Sequence, residues 1–142
     1  MSSTAPLVLL TAGGTGGHVF PAEALARELL GRGARAAMVT DNRGQVFSDS
    51  LGVPTYSVCA SPLGKNIVKK AISVLIMGIG VIQAFFLLRK LKPNAVVGFG
   101  GYPAVPILYA AACLHIPIVL HEQNAIIGRA NKAILPRARC LA

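Results

Sequence analysis

Apolar residues fall into short blocks set off by glycine, proline and polar residues, and the blocks alternate in kind. Residues 7–11 (Leu-Val-Leu-Leu-Thr) form an almost unbroken apolar run that ends in glycines. That length and ending predict a strand buried on both faces. Residues 19–32 switch to helical spacing, with Ala22, Leu25, Ala26, Leu29 and Leu30 on one face. Pro21 is expected in the first turn, where its missing N–H costs nothing, and Gly31 and Gly33 stop the helix. Further strands are predicted over 34–40, over 55–59 after the Val53-Pro54 turn, over 95–99 and over 116–121. Helices are predicted over 101–114 and 128–135, and 139–142 reads as the opening of another strand. Strands that alternate with helices predict an α/β fold: a Rossmann-like parallel sheet, flanked by helices and joined by right-handed crossovers. The 142 residues suit one domain with a substantial core.

One block stands apart. Residues 71–88 are apolar except for Ser73 and Gln83, with basic residues on both sides: Lys65, Lys69 and Lys70 before, Arg89, Lys90 and Lys92 after. About 18 residues just reach the length of a bilayer span. A buried crossover helix is a second reading. The third is a crossover helix whose outer face dips into a membrane interface, and it is preferred. A true span would break the wrapping between the third and fourth strands, whereas basic flanks suit anionic lipid. The expected membrane contacts are Leu75, Ile76, Ile79, Ile82 and Phe86, with Lys69 and Lys70 beside them.

Charge sharpens the picture. Fourteen Lys and Arg face five Asp and Glu, a formal +9, on a chain that is 54% hydrophobic. Such a surface favours an anionic partner: nucleic acid, a lipid surface or a phosphorylated substrate. Aromatic residues are 6% and Trp is absent, too few stacking platforms for single-strand binding, so no nucleic-acid partner is expected. Cys59, Cys113 and Cys140 lack metal spacing and are expected to be buried free thiols in a reducing compartment. No charged leader precedes the first apolar run, which favours a cytoplasmic chain.

Three strands end in unusual segments: 13–18 (Gly-Gly-Thr-Gly-Gly-His), 98–103 (Gly-Phe-Gly-Gly-Tyr-Pro) and 121–124 (His-Glu-Gln-Asn). Parallel topology puts all three on the carboxyl edge of the sheet, where such folds bind ligands. Glycines before a helix let backbone N–H groups approach an anion, and the helix N-terminus adds positive charge. The first loop is not a Walker loop, for no Gly-Lys-Ser/Thr follows. It is not the dinucleotide fingerprint either, because Val19 stands where its last Gly belongs. His18 is placed at the start of a helix, whose dipole favours the neutral imidazole that a general base needs. Glu122 is a candidate to orient His18 or to bind a sugar hydroxyl, and Asn124 to bond a sugar or an amide. Neither His18, His115 and His121 nor Asp41 and Asp49 have the spacing of a metal site, so no metal or cofactor is expected.

Residues 13–22 (Gly-Gly-Thr-Gly-Gly-His-Val-Phe-Pro-Ala), Gly100-Gly101-Tyr102 and 121–124, in this order, resemble the N-terminal domain of the MurG family. These are the glycosyltransferase family 28 enzymes that add GlcNAc to lipid I. Asn131-Lys132 matches the continuation. The resemblance runs from Leu7 to the chain end. It implies the N-terminal, acceptor- and membrane-side half of a GT-B glycosyltransferase. It further implies inverting transfer of GlcNAc from UDP-GlcNAc to the C4 hydroxyl of lipid I (undecaprenyl-diphosphate-MurNAc-pentapeptide), on the cytoplasmic face of the bacterial inner membrane as a peripheral protein. Donor contacts then fall at Thr15, Gly16, Gly17 and Asn124, further substrate contacts at Gly100, Gly101 and Tyr102, the candidate base at His18 and a support residue at Glu122. The family's second half, with most uridine-binding residues, is missing from residues 1–142, so the chain alone is expected to be inactive. The alternative is a non-catalytic, membrane-recruiting subunit of a split two-chain glycosyltransferase.

Overall fold

The computed structural model describes residues 5–13, 15–42 and 52–142. Gly14 of the first motif and Asp49 lie outside them. Six parallel strands form one sheet in the order β3-β2-β1-β4-β5-β6. They are β1 (Leu7–Thr11), β2 (Arg35–Thr40), β3 (Thr55–Ser57), β4 (Ala95–Gly98), β5 (Ile118–Leu120) and β6 (Cys140–Leu141). The described helices are α1 (Gly16–Gly31), α2 (Ile67–Leu91), α3 (Ala104–Cys113) and α4 (Arg129–Ile134), the last continued by a 3-10 turn at Leu135–Arg137.

Alternation along the strands builds two cores. Leu7, Leu9, Ala37, Val39, Val96, Ile118 and Leu120 face α2, α3 and α4, packing with Ala84, Leu88, Ile107, Leu108 and Ile134. Leu10, Ala36, Met38 and Val97 face the opposite way, under Val19, Ala22 and Ala26 of α1. Both faces of the sheet are covered, which is why the strands read as apolar runs rather than as alternating ones.

The predicted elements are found, with shifted ends. Helix α1 begins at Gly16, three residues before the predicted start, so Pro21 lies inside it and not in its first turn. Proline gives no N–H to the Gly17 carbonyl, and one bond of the helical ladder is lost there. The predicted strand over 55–59 stops at Ser57, because β2 itself ends at Thr40, whose carbonyl takes the last bond, from the Val58 amide at 3.1 Å. The expected burial of the thiols is corrected: Cys59, Cys113 and Cys140 are all exposed. Cys59 sits in the loop after β3, Cys113 ends α3 and Cys140 is on the edge strand β6, so the general tendency of free Cys to be buried is overridden by position.

Helix α2 extends the 71–88 block by four residues at its start and three at its end. Asn66 caps it, its Oδ1 accepting from the Lys69 amide at 2.8 Å, and Lys92 closes it in the left-handed region at φ 49°. A stripe of Ser73, Gly80, Ala84 and Leu88 is buried. Gly80 allows this seat, for a methyl there would run into the Cys59 carbonyl and meet the Pro106 ring. A helix that joins two strands of one sheet and packs on α3 is a crossover, not a free bilayer span. Its outer face is nonetheless apolar and open. Leu75 is 68%, Ile82 60% and Phe86 66% exposed, with Ile79 beside them. Ile76 differs from that expectation: it is only half-buried and turns toward a cavity beside Cys59 and Gln83.

Candidate functional site

The strand order reverses between β1 and β4, and a crevice opens beyond their carboxyl ends at such a reversal. The three motifs follow β1, β4 and β5, which are neighbours in the sheet, so they meet on one edge. The first two are stitched together. The Gly13 amide donates to the Gly100 carbonyl at 3.0 Å. Gly100 and Gly101 hold φ of +94° and +82°, where a side chain is strained. A Cβ on Gly101 would stand 2.9 Å from the Gly13 Cα, and one on Gly13 would stand 3.2 Å from the Gly101 Cα. These glycines therefore let two backbones touch.

His18 lies in the first turn of α1, its amide donating to the Thr15 carbonyl at 3.0 Å. Its imidazole lies against the joint. A Cβ on Gly13 or Gly101 would fall 3.3 or 3.5 Å from its Cδ2, and one on Gly100 would fall 3.2 Å from Cε1 and 3.3 Å from Nδ1. From the third motif, the Gln123 carboxamide nitrogen lies 2.6 Å from His18 Nδ1. Residues from all three motifs thus contact one ring.

The orienting contact expected from Glu122 is made by Gln123 instead. Glu122 faces its own loop. Its Oε1 accepts from the Asn124 amide at 3.1 Å and the Asn124 side chain at 3.0 Å. Its Oε2 accepts from the Gly128 amide at 2.8 Å and from Asn131 Nδ2 at 3.1 Å. The Gly128 amide, helped by the Asn124 and Asn131 donors and opposed by burial, holds this carboxyl below its ordinary value of 4.5. Asn131 is fully buried and also donates to the His121 carbonyl at 3.1 Å. Glu122 and Asn131 together tie the β5–α4 loop and fix where Gln123 stands. Composition and spacing did not single out Gln123 or Asn131; the only signals were membership of the third motif and of its continuation.

The remaining candidates fall in two places. Thr15 is the N-cap of α1, exposed, and its hydroxyl does not cap the helix. Gly16 and Gly17 form the first turn of α1. A Cβ at Gly17 would meet nothing within 4 Å, and one at Gly16 only the Phe20 ring. Asn124 is exposed, with its amide nitrogen on Glu122. Tyr102 donates to Asp41 Oδ2 at 3.3 Å. Tyr102 and Asp41 line a cavity of about 430 Å³ with Ser57, Cys59, Ile76 and Gln83, a size that suits a small ligand. Among the described residues, no three His, Cys, Asp or Glu converge as metal ligands.

Comparison with known proteins gives a consistent result. The model of the glycosyltransferase family 28 N-terminal domain matches residues 8–142. A Rhodospirillum centenum protein is 56% identical over 140 residues, 98% of this chain and 37% of the relative. A Paramagnetospirillum magneticum protein is 48% identical over 144 aligned positions, all of this chain and 39% of the relative. Both are named UDP-N-acetylglucosamine--N-acetylmuramyl-(pentapeptide) pyrophosphoryl-undecaprenol N-acetylglucosamine transferase. The chain therefore spans under two-fifths of the length of these curated relatives. Among solved structures, Acinetobacter baumannii MurG superposes with a TM-score of 0.86 at 32% identity, over 96% of this chain and 40% of that one. The Streptomyces glycosyltransferase SsfS6 shares the fold, with a TM-score of 0.66 at 15% identity, over 91% of this chain and 42% of that one.

Proposed function

The chain belongs to glycosyltransferase family 28, with the fold of the N-terminal half of a GT-B enzyme, and from that premise we propose that it forms the acceptor- and membrane-side half of a transferase acting on lipid-linked cell-wall precursors. In this reading the donor is UDP-GlcNAc and the acceptor is lipid I. The observation that carries it is the meeting of three motifs on the His18 ring at the switch point of the sheet.

His18 takes the proton of the acceptor hydroxyl as the oxygen attacks the anomeric carbon, and UDP leaves with the electron pair, inverting that carbon. The start of α1, at Thr15, Gly16 and Gly17, presents N–H groups that no carbonyl of the helix itself can pair, and a positive dipole end, to phosphate oxygens. Stabilisation of this kind is often worth several kcal/mol. Asn124 keeps its side-chain oxygen for a sugar hydroxyl or amide. Tyr102 and the Asp41 cavity lie next along the edge, as a site for a further part of the substrate. Glu122 acts through the loop it ties.

The membrane part rests on α2. Leu75, Ile79, Ile82 and Phe86 form an exposed apolar strip, with Lys69 and Lys70 at one end and Arg89 and Lys90 at the other. Docking of this strip on an anionic leaflet makes the protein peripheral, on the cytoplasmic face of the inner membrane where a nucleotide sugar is at hand. A partner C-terminal domain completes the nucleotide site.

The reading is tested by joining this chain to the part of the R. centenum relative that it does not cover. Labelled GlcNAc should pass from UDP-GlcNAc to a lipid I analogue, and not to one lacking the MurNAc sugar. A soluble, folded chimera that transfers to neither contradicts the proposal.

A further inference from the structure

We propose that Gln123 is a positioning residue that selects the tautomer of His18, and so decides whether that ring acts as a base. The inference deepens the functional reading above, and its catalytic consequence rests on His18 being the base.

Among the described residues, the one hydrogen-bond partner of the imidazole is the Gln123 carboxamide, 2.6 Å from Nδ1. The ring is bordered by bare backbone at Gly13, Gly100 and Gly101, where an added Cβ would crowd Cδ2, Cε1 or Nδ1. Nε2 is left as the nitrogen for a reactant. Glu122, the neighbouring acid, has both oxygens occupied by its own loop. Control of the ring proton therefore falls to Gln123.

An amide carries a donor on one arm and an acceptor on the other, in nearly the same shape. With its NH2 facing Nδ1, Nδ1 must accept, and the ring proton sits on Nε2. In that form Nε2 cannot take a proton. A half-turn of the amide brings Oε1 to Nδ1. Nδ1–H then donates, and Nε2 carries the lone pair that a base needs. During transfer, Nε2 takes the acceptor's proton, the hydroxyl oxygen bonds to the anomeric carbon, and the bond to UDP breaks with its electron pair on UDP. The resulting imidazolium still donates from Nδ1 to Oε1, so no partner is lost as charge develops.

The test reads the tautomer directly. The 142-residue chain is labelled with ¹⁵N-histidine, and long-range ¹H–¹⁵N correlation reports which ring nitrogen is protonated. The spectrum of His18→Ala identifies the His18 signals among the three histidines. Wild type is expected in the Nε2–H form, matching the amide as it stands. Gln123→Glu, an acceptor without a proton to give, should move the proton to Nδ1. A folded Gln123→Glu chain with the wild-type tautomer overturns the proposal. In the chimera, Gln123→Leu should lower kcat about tenfold or more at unchanged KM, a share of the roughly 10²–10⁴-fold that a base supplies. Gln123→Glu should keep most of kcat. Wild-type kcat in Gln123→Leu, when His18→Ala has lost activity, also overturns it. Wild-type kcat in both variants removes His18 as the base, and the tautomer spectra then judge Gln123 alone.

Discussion

Replacing Glu122 by Gln changes one oxygen for NH2 and removes the charge. Each carboxylate oxygen accepts two donors: Asn124 N and Nδ2 on one, Gly128 N and Asn131 Nδ2 on the other. Whichever way the amide turns, two of the four donors lose their acceptor and face a donor instead. Hydrogen bonds to charged groups contribute about 1.5–3 kcal/mol each. The loop is open to solvent, so a total near 2 kcal/mol is expected rather than the sum of two. With a urea slope of about 1–3 kcal/mol per molar, the unfolding midpoint of the chain should fall by about 1 M. The difference has a pH signature. The folded carboxyl is held below 4.5 by its donors, so its contribution is complete above that value and is lost as pH falls through the lower, folded one. The gap between wild type and Glu122→Gln should therefore be full near neutral pH and close in acid. Equal midpoints at neutral pH, or a gap that survives well below the folded value, refute this account of the loop.

Two further pairs of variants separate backbone packing from surface chemistry. Gly101→Ala should destabilise by about 2 kcal/mol or more, lowering Tm by about 6 °C, because φ is +82° and the new methyl meets the Gly13 Cα; Gly17→Ala, in open space within a helix, should be neutral or stabilising by up to about 1 kcal/mol. Equal Tm for the two variants contradicts the interlocked glycine loops. In vesicle sedimentation, Lys69→Ala with Lys70→Ala should remove about 2 kcal/mol of binding to anionic vesicles, about 30-fold, while Leu75→Ser with Phe86→Ser should weaken binding to anionic and neutral vesicles alike. Unchanged partition in both double variants removes α2 as the docking surface.

Strand β1 was fully legible, because a five-residue apolar run closed by glycine has few other solutions. The convergence of the motifs was legible too, since parallel strands all present the same edge. Ends were less so. The predicted strand over 116–121 begins at Ile118, because the amides of His115 and Ile116 still bond back to Ala112 and Ala111 as α3 ends, and His115 sits at φ 58°. The helix predicted from residue 101 begins at Ala104, since the positive φ of Gly101 belongs to the loop. Side-chain roles inside a motif were the least legible. In His121-Glu122-Gln123-Asn124 the acid looks like the natural partner of a histidine. Which residue reaches His18 depends on where Gly128 and Asn131 draw the Glu122 carboxylate, a contact six to nine residues away that spacing does not encode. Helix α2 posed the converse problem. Its composition permits a span, and only its buried stripe, seated by Gly80, gives its place on the sheet.

Activation of an acceptor hydroxyl by His18, held where the three motifs meet, is what we propose for this edge of the sheet. The kcat of the chimera with UDP-GlcNAc and a lipid I analogue, both saturating, tests it when His18→Ala is compared with wild type. A loss of about 10²–10⁴-fold with an unchanged fold is predicted. A kcat within a few-fold of wild type would contradict a role for His18 as the base.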